Sequence, residues 1–192
     1  MEKTVKVSHR SRSLVWSGYA VLIWSIAYML PHLYWGLGGV RGLILFTPLV
    51  LEFPQLKLIN LVASVFLIAA GCLGLAFIYF KHRNLTSGLL LAITLIGCSI
   101  STSHGIYGVV YRILQITGVV ELDSETFNGQ HFSYVLWDLF LFEPWFLIEG
   151  ILLGVVGWFY LNKPRHRQIW FILCLVGITV GIITGLLGVR FA

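Results

Sequence analysis

Residues 134–161 read YVLWDLFLFEPWFLIEGILLGVVGWFYL. The eighteen residues from Pro144 to Leu161 already approach the minimum for a helix that crosses a bilayer. Yet the stretch carries Asp138, Glu143 and Glu149, three of the eight acidic residues in the chain. A carboxylate at that depth costs roughly 3 kcal/mol or more unless it is paired, wetted or protonated. On a regular helix Asp138 and Glu149, eleven residues apart, point to nearly the same side, roughly 16 Å apart along the axis. Trp145 belongs to that side too. This places Glu149 near mid-membrane and Asp138 near one surface, and the span reads as the wall of a polar interior site.

The rest of the composition agrees with a membrane setting. Of 192 residues, 58% are hydrophobic and only 11% are charged, with a mean hydropathy of +0.88. That is more apolar surface than a water-soluble core can use, so the chain is an integral membrane protein. No long polar segment is left over, so residues 1–192 form one membrane domain. The net charge of +5 is not arranged as a basic stripe interleaved with aromatics in a polar segment, which excludes nucleic-acid binding. Cys72, Cys98 and Cys174 are odd in number, lie in apolar runs and form no CxxC, so they read as buried small apolar residues and not as a redox dithiol.

Working outward, five spans emerge, at about 13–37, 58–80, 85–111, 134–161 and 169–189. In the first, Trp24, Tyr28, His32 and Trp35 form an aromatic stripe on one face. Pro31 frees a carbonyl one turn back and is expected to bend the helix, and Gly36, Gly38 and Gly39 end it. Residues 40–57 are apolar but broken by Pro48 and Pro54, as for an interfacial segment or a lid over the bundle. Gly71 and Gly74 are close-packing points in the second span. The second half of the third, with Ser101, His104, Tyr107 and Tyr111, is the most polar run inside the membrane. Gly177, Gly181, Gly185 and Gly188 line one side of the fifth span as a small-residue ridge for close helix contact, and for a partner subunit if the chain assembles.

Lys and Arg orient the bundle. The tail (Lys3, Lys6, Arg10, Arg12) and two short turns (Lys81, Arg83, Lys163, Arg165, Arg167) carry nine, against four at Arg41, Lys57, Arg112 and Arg190. The expected topology is therefore five transmembrane helices in an all-α polytopic bundle, with the N-terminus cytoplasmic and the C-terminus extracytoplasmic. The acidic connection residues Glu121, Asp123 and Glu125 then fall outside.

Depth brings the polar residues together. His32 lies about 28 Å along the first span, and His104 reaches a similar height on the third. Tyr107, Tyr111 and Arg112 follow just above, and Asp138 and Glu143 enter the fourth span at that level, with Glu149 below. The expected site is an outward-facing polar and aromatic pocket. Its binding residues are His32, Tyr28, Trp35, Tyr107, Tyr111, Arg112, Asp138, Glu143 and Trp145, with Trp24 in its wall. His32, His104, Asp138 and Glu143 have metal-ligand chemistry, and the two histidines could hold a haem, but no HxxxH or HExxH spacing occurs, so no metal or cofactor is assigned.

The motifs HLYWGLGG (32–39) and EPWFLIEGILLGVVGW (143–158) resemble a family of small bacterial integral membrane proteins catalogued as a domain of unknown function. The shared positions are His32, Tyr34, Trp35, Pro144, Trp145 and Phe146. The resemblance implies the architecture and a bacterial cytoplasmic-membrane location. Glu149 stands where these relatives tend to carry a small residue. The favoured function is binding of a lipid-like or amphipathic small molecule, in a carrier, sensor or immunity-type role. A second reading is a membrane enzyme that moves protons on a lipid or isoprenoid substrate, with Glu149 and His104 as catalytic acid and base. A third is a structural subunit of a larger complex.

Overall fold

The computed structural model describes residues 2–42, 55–80, 84–120 and 131–187, and every secondary-structure element in it is helical. The helices are α1 (Glu2–Gly36), α2 (Gln55–Tyr79), α3 (Asn84–Ile116), the short α4 (His131–Trp137), a π-helical turn (Asp138–Phe142), α5 (Glu143–Tyr160) and α6 (Pro164–Leu186). Five stretches are long and apolar enough to cross a membrane: Arg12–Gly36, Gln55–Tyr79, Ser87–Ile116, Ser133–Tyr160 and Pro164–Leu186. The chain is a multi-pass helical membrane protein. Much of the proposed lid (43–54), the side chains of Lys3, Lys6, Arg10, Lys81 and Arg83, the acidic residues Glu121, Asp123 and Glu125, and Gly188 and Arg190 lie outside what is described.

Helix ends follow local chemistry. α1 runs through Pro31 and stops at a Schellman cap, in which Gly38 N–H donates to Trp35 O at 3.0 Å and Gly39 N–H to Tyr34 O at 2.9 Å. Gly38 has φ +98°, a conformation that disfavours any side chain, and a Cβ on Gly39 would overlap the Tyr34 ring, so each of the paired glycines of the HLYWGLGG motif has its own reason. α3 ends in the same way at Gly118, with φ +73°. It therefore runs past Tyr111 to Ile116 and carries Arg112 within the helix, a turn further than its charge led us to expect. α6 begins at Pro164, whose missing N–H costs nothing in a first turn.

The helices pack in the order α2, α1, α5, α3, α6, so α5 sits centrally between α1 and α3. Lipid tails are as apolar as leucine, so close packing carries much of this association. At Gly18 and Gly74 the backbones of α1 and α2 touch: a Cβ on either would fall 2.5–2.6 Å from the other's carbonyl oxygen. Three glycines of the α6 ridge pack inside the chain. Gly177 and Gly181 seat the Ser99 and Ser103 hydroxyls of α3, and Gly185 lies against the Tyr107 ring. These three glycines hold α6 onto α3.

The bundle has two unlike halves. Toward the α5–α6 turn, which we name the basic-turn end, Leu14, Val21, Phe77, Leu90, Leu153, Val156, Tyr160 and Trp170 form a sealed apolar cluster. Toward the opposite end the same helices bury Ser25, Asn60, Thr102, Gln115, Asp138, Glu143 and Glu149.

Candidate functional site

The fourth span is not one regular helix. Pro144 cannot donate a backbone hydrogen bond, and its ring clashes with the carbonyl four residues back in an α-helix. The chain responds by widening. Residues 138–142 form a π turn, and Glu143 N–H donates to Asp138 O five residues earlier. In an α-helix Asp138 and Glu143 would sit about 140° apart. The wider turn carries both inward, and each is only 7% exposed. Asp138 and Glu149 do not share a side as regular periodicity implied. Asp138 engages α3, whereas Glu149 engages α1.

On the α3 side, Arg112 is the organising group. Its Nε donates to Asp138 Oδ2, Nη1 to Gln115 Oε1 at 2.6 Å and Nη2 to the Tyr134 hydroxyl at 3.3 Å. Its guanidinium lies 5.0 Å from the Tyr134 ring centre and 5.6 Å from that of Tyr111. These bonds and the cation–π contacts compensate the burial of a charge pair, which would otherwise be unfavourable. Below it the Glu143 carboxyl rests on Gly108, where a Cβ would overlap it. Gly105 brings the backbones of α3 and α5 together in the same way. His104 Nε2 is 3.6 Å from Glu143 Oε2, an ion-pair separation longer than a hydrogen bond.

On the α1 side, Trp145 stacks on Trp24 (centroids 4.2 Å apart) and on Tyr28 (4.9 Å). Trp24 Nε1 donates to Trp145 O at 3.1 Å. Tyr28 meets His32 edge-on at 4.7 Å, and His32 Nδ1 bonds Asn60 Oδ1 of α2 at 2.7 Å. One turn below Trp145, Glu149 is 3% exposed and accepts a 2.7 Å bond from Ser25 Oγ. Phe146 joins the two sides, packing on Tyr28 at 5.5 Å and on His104 at 4.6 Å.

Six buried polar atoms have no hydrogen-bond partner among the described residues: Thr94 Oγ1, beside the apolar cluster, and, within this frame, His32 Nε2, Thr102 Oγ1, Glu143 Oε2, Trp145 Nε1 and Glu149 Oε2. The last five belong to α1, α3 and α5 in the polar half. Unpaired buried groups are uncommon in folded proteins.

Most expected residues converge. Tyr28, His32 and Trp145 share the α1 side, with Trp35 set against His32 at 5.6 Å and donating to Arg41 O at 3.0 Å. His104, Tyr111, Arg112, Asp138 and Glu143 share the α3 side. Tyr107 does not join them. It stacks on Tyr111 but lies against Gly185 of α6. His104 lies 3.6 Å from Glu143, and Glu149, the acid expected to work with His104, bonds Ser25. Between His32 and His104 run the ring contacts of Tyr28 and Phe146. Among the described residues no three His, Cys, Asp or Glu side chains are grouped as metal ligands. Ser25, Asn60, Thr102, Gln115 and Tyr134 were not foreseen. Asn60, an amide within an apolar span, was the clearest overlooked signal.

The fold and this site define a polytopic helical membrane protein with a buried polar and aromatic interior. A family model covers residues 25–153, from the Ser25–Glu149 bond through both sides of the site. The chain belongs to that family, described as protein of unknown function (DUF3995). No curated protein and no solved structure matches the chain.

Proposed function

We propose that the interior bounded by α1, α3 and α5 binds a lipid-like or amphipathic small molecule, in the service of transport, sensing or immunity. The observation that carries this reading is the set of five buried polar atoms without partners, beside the Trp24–Trp145–Tyr28 stack. Aromatic walls suit an apolar body, and a few convergent polar atoms suit its head. The Lys and Arg count favours a cytoplasmic N-terminus, with the polar half facing outward in a bacterial cytoplasmic membrane.

Native mass spectrometry of the purified protein tests the proposal. The expected result is a retained small-molecule mass that is lost in Glu149→Gln and in Trp145→Phe while both variants keep their helical circular dichroism. A mass retained equally by both variants, or no retained mass in the wild type, overturns it.

Proton-transfer chemistry on a lipid or isoprenoid is a second reading. The specific support for it is the 3.6 Å approach of His104 to Glu143, with the Glu149 carboxyl on the neighbouring face. It requires that Glu143→Gln and Glu149→Gln abolish isomerisation of a labelled polyprenyl substrate without unfolding the protein. Unchanged turnover in either variant removes it.

A further inference from the structure

A different surface, remote from the α1–α3–α5 interior, carries an independent inference. At the basic-turn end two apolar grooves run along α6. One, about 510 Å³, lies between α5 and α6 and is lined by Ile151, Val155, Trp158, Trp170, Leu175 and Ile178, among others. The other, about 360 Å³, lies on the α3 side and is lined by Leu91, Leu95, Leu161, His166, Trp170 and Leu173. Trp170 lines both, so it is the partition between them. Its position is fixed. Its Nε1 donates to Gly154 O at 2.9 Å, and its ring lies on Gly157, where a Cβ would overlap it. Between Ile151 and Phe159 the first groove extends about 12 Å into the membrane.

Both grooves border the same cationic turn, the second through Leu161 and His166 and the first through Trp158, over which Arg167 lies. Lys163, Arg165 and His166 are exposed there, and His166 itself lines the second groove. Arg167 donates to Leu161 O at 3.0 Å and lies 5.5 Å over the ring of Trp158, a wall of the first. From Gly150 to Leu187 there is no Asp or Glu. The chemistry is that of paired hydrocarbon channels beside a positively charged turn.

We propose that an anionic two-chain phospholipid sits astride Trp170, with one acyl chain in each groove and its phosphate over Lys163, Arg165 and Arg167. Charge complementarity selects the headgroup, and the two grooves on either side of a fixed indole select a lipid with two chains.

The test is native mass spectrometry of the full-length protein, stripped of lipid in detergent and then offered phosphatidylglycerol or phosphatidylcholine of identical acyl composition. The wild type should retain phosphatidylglycerol about tenfold more than phosphatidylcholine. Lys163→Gln with Arg165→Gln, both exposed positions, should bring the two lipids to near parity, since each cation near a membrane surface is worth roughly fivefold in affinity. Leu175→Trp, which fills the first groove and leaves the cations in place, should lower retention of both lipids. Equal retention of the two lipids by the wild type, or an undiminished preference in the double variant, overturns the proposal, as does retention unaffected by Leu175→Trp. Neither variant touches the interior site, so the small-molecule mass proposed above should survive in both.

Discussion

The two halves of the bundle are made from the same helices and differ in almost every other respect. α5 contributes Leu153, Val156 and Tyr160 to the sealed cluster at the basic-turn end. A few turns earlier it contributes Glu143, Trp145 and Glu149 to the polar interior. In the sealed half, apolar side chains interdigitate and Trp170 finds its backbone acceptor. In the polar half, hydrogen-bonded groups stand beside five buried polar atoms that have no hydrogen-bond partner among the described residues. Apolar packing accounts for most buried side chains of the first half, whereas the second buries carboxylates, an amide and an arginine that packing alone does not require. The comparison predicts different consequences for substitutions on the two sides.

The largest effect should follow the loss of Arg112. Removing one member of a buried ion pair leaves an uncompensated charge and costs about 3–5 kcal/mol. For a chain of this size Arg112→Ala should lower the apparent Tm in detergent by about 10 °C. Arg112→Met with Asp138→Leu should recover much of that loss, and a double variant as unstable as the single would show that the pair is not the organising contact. Next comes Leu153→Ala in the sealed half, at about 2–5 kcal/mol through the cavity it leaves. It should lower Tm without changing the retained small-molecule mass, and an equal loss of that mass would erase the distinction between the halves. Gly38→Ala forces a side chain into a left-handed conformation and should cost about 1–2 kcal/mol. A smaller change would mean that the Schellman cap does not hold the end of α1. The smallest stability effect belongs to Glu149→Gln, because an amide oxygen can still accept the Ser25 hydroxyl. Tm should move by no more than about 2 °C while ligand retention is lost, and a large Tm loss would make Glu149 a structural acid.

Helix number and order were legible in the sequence because burial in a bilayer demands long apolar runs, and nothing else in the chain competes with that signal. Boundaries were less legible wherever a charge had a partner. Arg112 looked like the start of a connection because an isolated arginine belongs at the surface. Asp138, Gln115 and Tyr134 allow it to remain within α3. The convergence of His32, Tyr28 and Trp145 followed from counting residues along straight helices. The partnership of Glu143 with His104 did not, because counting assumes 3.6 residues per turn and the chain departs from that at Asp138–Phe142. Asn60 and Ser25 act across helix interfaces, and helix periodicity says nothing about which neighbour a residue will meet.

The widened turn before Pro144 also sets the phase of everything that precedes it. A π turn is what one extra residue leaves in a regular helix, and it works as an angular spacer between α4 and α5. Excising a single residue such as Leu139 would wind the segment back by about 100° and draw it in by about 1.5 Å. The apolar length would still span the bilayer, but the carboxylate of Asp138 would swing away from the guanidinium that holds it. The aim of the α3 side of the site is thus metered by a count of one.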